Sequence, residues 1–230
     1  MSLSSDPSPL ITCNNLACER DGRVLFEQLD LVVNSGDVVQ IEGPNGCGKT
    51  TFLRAITGLL VDYQGEIQWR GQAIHRVRAD YLSHLLFIGH LPGVKNTLTP
   101  RENLQFLLRL HQNVQQQEIE QALDNVGLYG YEDMPGQQLS AGQLRRVGLA
   151  RLHLSKAPVW VLDEPYTAID QQGVSALEAL FTRHAERGGC VILTTHQSPS
   201  IAGLKRIPLN QYSPHWHKQN NPSRQGTSDA

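Results

Sequence analysis

The chain has 230 residues, 40% hydrophobic and 18% charged, with a formal charge of −2 and a pI near 6.5. That length fits one large domain, or one domain with a subdomain, and is enough to bury a sizeable core. Lys and Arg form no basic field, which argues against nucleic acid as the main ligand, and no window approaches 18 consecutive apolar residues, so the chain is not expected to span a membrane itself. Cys13, Cys18, Cys47 and Cys190 lack C-x-x-C spacing and disulfide density, and the N-terminus lacks a basic stretch followed by an apolar core; a reducing, cytosolic location is expected.

In chain order, residues 1–9, rich in Ser and Pro, read as a flexible terminus. Short β-like runs follow at Leu10 to Cys13, Leu29 to Val33, Val38 to Ile41 and Glu66 to Trp69, with a turn at Asn34-Ser35-Gly36-Asp37. Within this region Gly43-Pro44-Asn45-Gly46-Cys47-Gly48-Lys49-Thr50 fills every position of G-x-x-x-x-G-K-[ST], preceded by a strand and followed by a helix opening at Thr51. Further on, Thr99-Pro100-Arg101-Glu102 is a capping box, continued by Leu104, Leu107, Leu108 and His111 at helical spacing. Ile119, Ala122, Leu123 and Val126 mark a second helix stopped by Gly127, and Ser140 with Gln143 caps a third running to about Leu154. Val159 to Leu162 and Val191 to Thr194 are apolar runs of buried parallel-strand type, separated by a helix containing Val174, Leu177, Leu180 and Phe181. Residues 210–230, including His215-Trp216-His217, read as a polar, flexible tail.

The phosphate loop implies a nucleoside triphosphate. Glycines let backbone N–H groups close around the phosphates, Lys49 neutralises the outer ones, the Thr50 hydroxyl ligates Mg²⁺, and the helix from Thr51 directs its positive end at the anion. Asp163-Glu164 ends a buried strand, where α/β sheets bind ligands; one carboxylate suits Mg²⁺ and the other suits holding and deprotonating an attacking water.

Leu139-Ser140-Ala141-Gly142-Gln143 resembles the signature of ABC transporters, usually L-S-G-G-Q, and the order phosphate loop, signature, Asp163-Glu164, Thr167-Ala168-Ile169-Asp170 and Thr194-Thr195-His196 matches that family over about residues 10–205. The resemblance implies an α/β fold: a parallel-sheet core of RecA type, an antiparallel β subdomain, and an inserted α-helical subdomain at about 92–155. It further implies ATP and Mg²⁺ as ligands, Asp163 on the metal, Glu164 as general base, His196 as a switch histidine at the γ-phosphate, and Asp170, in the D-loop, among the nucleotide-binding residues. Ser140, Gly142 and Gln143 would close over the nucleotide of a second copy of the chain, making a head-to-tail dimer. Two positions depart from the pattern: His90 stands where most cassettes have a glutamine, and Arg20 lies near the place of the aromatic that stacks on adenine.

Finer features resemble the ATP-binding subunit of the cytochrome c maturation (haem export) transporters: Cys18-Glu19-Arg20-Asp21, Gln40-Ile41-Glu42-Gly43, Phe87-Ile88-Gly89-His90, Pro92-Gly93-Val94-Lys95 and Tyr166-Thr167-Ala168-Ile169-Asp170. This implies an ATPase on the cytoplasmic face of the bacterial inner membrane, reaching it only through integral membrane permease subunits of a haem-handling complex. The segment from Gly89 to Glu102 would receive the membrane partner and present Leu91, Val94 and Leu98. The alternatives are the ATPase of another small ABC exporter and a nucleotide-binding regulatory subunit with little hydrolysis. A DNA-repair ATPase is disfavoured, because about ninety residues without heptads separate Lys49 from Ser140.

Overall fold

The structure, a computed structural model, describes residues 9–108 and 114–214. His111, residues 1–8 and the tail from His215 lie outside the described residues. Two sheets organise the rest. Strands β1 (Pro9–Arg20) and β2 (Arg23–Asn34) pair antiparallel, and β4 (Gln64–Trp69) and β5 (Gln72–Ala73) extend that sheet in the order β2-β1-β4-β5. The second sheet is parallel throughout and runs β6 (Leu85–Ile88), β7 (Val159–Asp163), β8 (Cys190–Thr194), β3 (Val38–Glu42), β9 (Lys205–Pro208).

Strands β1 and β2 are 12 residues each, far longer than the runs read from the sequence. The hydrophobic alternation breaks at Asn15 and Gln28, both with positive φ, where the register shifts. Such irregularities move side chains between faces and hide a continuous strand from any period-2 reading. The hairpin itself is local chemistry: Asp21 and Gly22 both take positive φ, as a two-residue turn of the primed type requires.

Helix α1 (Lys49–Ile56) lies against one face of the parallel sheet, where Phe52, Leu53, Val39, Ile41, Val161 and Ile192 join β1 and β2 in one core cluster. Helix α6 (Gln171–Glu186) covers the other face through Val174, Leu177 and Phe181. After the short helix α2 (Arg78–Ser83), which precedes β6, the inserted helices α3 (Pro100–Leu108), α4 (Gln116–Asn125) and α5 (Ala141–Leu154) form a third cluster. Helix α5 is the seam: Val147 and Ala150 face the inserted helices, whereas Leu149 and Leu152 face the sheet. Covered on both sides, it carries apolar residues all round rather than one stripe. Its N-terminus follows the expected capping box, with Ser140 and Gln143 bonding each other's backbone, and Thr99 and Glu102 do the same for α3.

The fold continues past the expected boundary at 205, and the stretch from 210 to 214 is part of it. Strand β9 adds an edge to the sheet, and the short 3₁₀ turn Leu209–Tyr212 inserts Leu209, 0% exposed, into the cluster beneath β3. Ile207, Leu209 and Tyr212, spaced two and three apart among polar residues, fit neither a strand nor a helix period for long enough to read. Leu209→Ala is expected to destabilise the fold by about 2–5 kcal/mol and to lower the melting temperature by several degrees. Replacing the neighbouring exposed Gln211 with Ala is expected to change stability by less than about 0.5 kcal/mol; thermal denaturation checks both.

Candidate active site

The phosphate loop leaves β3 at Glu42 and re-enters regular structure at α1. Its glycines are there for space as well as conformation: Gly48 has φ +105°, and a Cβ on it would come within 3.1–3.3 Å of Leu25 and the Phe26 ring. No side chain caps α1, so its first N–H groups remain available to an anion. Lys49 turns back over the loop and donates to the carbonyls of Gly43, at 2.6 Å, and Pro44, at 3.3 Å. The ammonium is therefore already placed above the concave loop, held by acceptors that a phosphate can replace.

Across the cleft, β7 and β8 are in register at Asp163 and Thr194. Asp163, 3% exposed, accepts two hydroxyls: Thr194 Oγ1 at 2.7 Å and Thr50 Oγ1 at 3.1 Å. The second of these bonds ties the acidic strand to α1. Thr50 and Asp163 also fit a magnesium ion. Both are hard oxygen ligands, and their 3.1 Å separation is close to the roughly 3.0 Å between neighbouring ligands of an octahedral ion with bonds of about 2.1 Å. Among the described residues no group of three His, Cys, Asp or Glu side chains forms any other metal site.

Glu164 has φ +52°, the left-handed region that a non-glycine residue enters at a cost. Its backbone is held there from both sides. The N–H donates to Thr194 O (3.1 Å) and Thr194 Oγ1 (3.0 Å), and the carbonyl accepts from Arg145 at 2.9 Å. The carboxylate then stands 3.5 Å from His196 Nε2. Glu164, His196, Lys49, Thr50, Thr51, Asn45, Gly46, Gly48, Asp163, His90 and Arg20 all border one cleft of about 530 Å³. Arg20 sits at its rim, at the end of β1, beside Asp21 at 3.4 Å.

The signature does not border this cleft. Ser140 and Gln143 are occupied with capping α5, and Gly142 lies where a Cβ would come within 3.1 Å of the Ala168 carbonyl. Asp170 is likewise turned elsewhere: it caps α6 through the Gly173 N–H at 2.8 Å and pairs with Arg146 at 2.8 Å. The signature helix and the loop before α6 thus form a unit outside the lining of the cleft that holds the phosphate loop.

Sequence reading missed Arg145. This residue is 4% exposed and donates from one guanidinium nitrogen to the carbonyls of Gly89 and His90, at 2.7 and 3.2 Å, and from another to those of Asp163 and Glu164, both at 2.9 Å. Burial pulls its pKa below the usual guanidinium range, opposed by the nearby carboxylates of Asp163 and Glu164. The readable signal was an arginine in line with Leu149 and Leu152 on the buried face of α5. The loop Gly89 to Glu102 also differs from expectation. Leu91 is 80% exposed, but Val94 packs against the inserted helices and Leu98 is half-buried. Buried Asn103 holds this loop by accepting from the Lys95 N–H and donating to the carbonyls of Lys95, Leu98 and Thr99.

A phosphate loop, an acidic strand end and an outward-facing signature on one scaffold define an ATP-binding cassette. The sequence profile described as ABC transporter matches residues 26–167. A Yersinia pestis protein named cytochrome c biogenesis ATP-binding export protein CcmA is 57% identical over 188 residues, covering 82% of this chain and 86% of its own, and a Hahella chejuensis protein of the same name is 53% identical over 207 residues, covering 90% and 98%. Among solved structures, a Pyrococcus furiosus protein described as an ABC transporter (ATP-binding protein) superposes with a TM-score of 0.77 at 28% identity, covering 88% of this chain and 98% of its own. A dimeric ATP-binding cassette bound to ADP and Pi, 20% identical, shares the fold at a TM-score of 0.74 and covers 87% and 95%. The chain belongs to the ABC transporter family, as an ATP-hydrolysing cassette of the kind these export proteins represent.

Cys47 is the one cysteine of the four that is not buried. Its helix N-terminus does not activate it, because burial raises the thiol pKa more than Lys49 and the backbone N–H groups lower it. With less thiolate than an ordinary thiol at neutral pH, Cys47 is expected to alkylate more slowly than free cysteine at pH 7.5, to keep accelerating above pH 9, and to be protected by ATP. Mass-spectrometric labelling rates check all three.

Proposed function

We propose that this chain is the ATP-hydrolysing subunit of an ABC transporter complex serving cytochrome c biogenesis, acting as one of a pair of cassettes on the cytoplasmic face of the inner membrane. The observation that carries this reading is the hydroxyl–carboxylate chain Thr50–Asp163–Thr194, which fixes a metal-type oxygen pair and the Glu164 backbone relative to the phosphate loop. Identity of 53–57% to the cytochrome c biogenesis export proteins supports the pathway. ATP binds with its phosphates on the loop and the N-terminus of α1, and Lys49 exchanges the carbonyls of Gly43 and Pro44 for phosphate oxygens. Thr50 and Asp163 would hold Mg²⁺, which, when bound, neutralises charge developing on the phosphates. Glu164 holds the attacking water and takes its proton, and His196, 3.5 Å from that carboxylate, orients water and γ-phosphate together. Arg20 offers a planar cation to the base at the cleft rim. Ser140, Gly142 and Gln143 close on the nucleotide of a second copy, which accounts for their turning from the chain's own cleft.

Three substitutions test this scheme. Glu164→Gln is expected to keep ATP affinity while lowering turnover by roughly 10²- to 10⁴-fold and accumulating an ATP-bound dimer in light scattering. Lys49→Ala is expected to lose tight nucleotide binding. Ser140→Arg is expected to retain monomeric binding but lose the dimer and the ATPase activity with it. Undiminished hydrolysis by Glu164→Gln would remove the base assignment, and equal loss of binding and turnover in Ser140→Arg would remove the head-to-tail site.

The membrane is reached through permease subunits that bind the loop around Leu91. This is the exposed apolar residue of a segment whose other end, His90, borders the cleft and is tied to Glu164 through Arg145. Co-expressed with the permease subunits, the wild type is expected to sediment with membranes and Leu91→Asp to remain in the supernatant with unchanged nucleotide affinity. Membrane association that persists in Leu91→Asp, or without any partner, would show that docking occurs elsewhere.

A further inference from the structure

The loop bearing His196 leaves β8 at Thr194 and has no regular structure of its own. Its side chain is exposed, so packing does not fix the imidazole, yet it must stand beside Glu164 for the chemistry above. What holds the loop lies beneath it. Gln40, in the middle of β3 and 2% exposed, sends its amide nitrogen to the carbonyls of Thr195 at 3.4 Å and Gln197 at 3.3 Å, the two residues flanking His196. Thr195 Oγ1 accepts the Gln197 N–H at 3.0 Å and closes the same turn.

The cost of this arrangement is visible. Gln40 stands between Leu193 of β8 and Arg206 of β9 in the parallel register and shares a face of β3 with buried Val38; Arg206 turns to Glu42 instead, and Gln40 Oε1 has no hydrogen-bond partner. A buried unpaired amide oxygen destabilises a fold. The opposite amide orientation would set that oxygen against two carbonyls, so the orientation is fixed by the loop. A leucine would fill this position with better local energetics. The amide is therefore explained by what it holds rather than by what it stabilises.

We propose that Gln40 is a positioning residue for hydrolysis, acting through His196 by anchoring the two carbonyls on either side of it. The proposal rests on the role given to His196 above. It is tested by a double-mutant cycle of Gln40→Leu and His196→Ala, with Gln40→Met as a volume-matched second variant, measuring kcat, KM, ATP affinity and melting temperature. Gln40→Leu and Gln40→Met are expected to lower kcat by about tenfold, leave KM and ATP affinity within about twofold, and leave the melting temperature equal or higher. In the His196→Ala background, Gln40→Leu is expected to change kcat by less than about twofold, because the group it positions is gone. A full additional loss in that background, a raised KM matching the loss of rate, or a lowered melting temperature in both variants overturns the proposal. So does an unchanged kcat in Gln40→Leu while His196→Ala is impaired, which leaves the role of His196 standing. Undiminished turnover in His196→Ala overturns the histidine's role and the Gln40 proposal together.

Discussion

Arg145 is a guanidinium almost entirely removed from solvent and held by carbonyls rather than by a carboxylate, and the arrangement of the site depends on how that charge is accommodated. Four carbonyl oxygens share it, two from the loop after β6 and two from the turn after β7. Desolvation disfavours the charged form, and the fields of Asp163 and Glu164 offset part of that penalty. In return, the two turns acquire a common donor. Because α5 begins with the signature, one rigid helix sets the positions of the signature, the His90 loop and the acidic pair together. A displacement of the inserted helices would therefore carry both loops with it.

The other half of the site is built from short hydroxyl bridges. Thr194 spends one hydroxyl on two tasks, donating to Asp163 and accepting from the Glu164 N–H, while Thr50 brings α1 to the same carboxylate. Threonine suits this because its branched β-carbon restricts χ1 and fits a buried parallel strand. Lys49 is held by backbone oxygens instead, so the loop carries no carboxylate that would compete with a triphosphate. At the phosphate loop itself, attraction for anions rests on one ammonium and one helix terminus, within a chain whose overall charge is slightly negative.

What could be read from the sequence was the local chemistry. The phosphate loop, the capping boxes at Thr99 and Ser140, and the strand ending in Asp163-Glu164 are set by residues within a few positions of one another, so their spacing carries the information. What escaped was set by distant partners. Arg145 finds its acceptors 18 to 56 positions away, Gln40 finds its own 155 and 157 positions away, and Leu209 is buried by strands from the opposite end of the chain. The full length of β1 and β2 was concealed for another reason, since residues at positive φ interrupt the alternation that reveals a strand. Val94 reads as a loop residue by its neighbours Pro92 and Gly93, but its burial depends on helices that follow it.

The left-handed backbone at Glu164 has an evolutionary meaning. Glycine would adopt that φ without strain, so the position trades conformational comfort for a carboxylate. A laboratory selection for heat resistance alone, blind to turnover, would find relief here by exchanging the acid for glycine. A carboxylate at this position costs the scaffold strain that the base role proposed for Glu164 would explain.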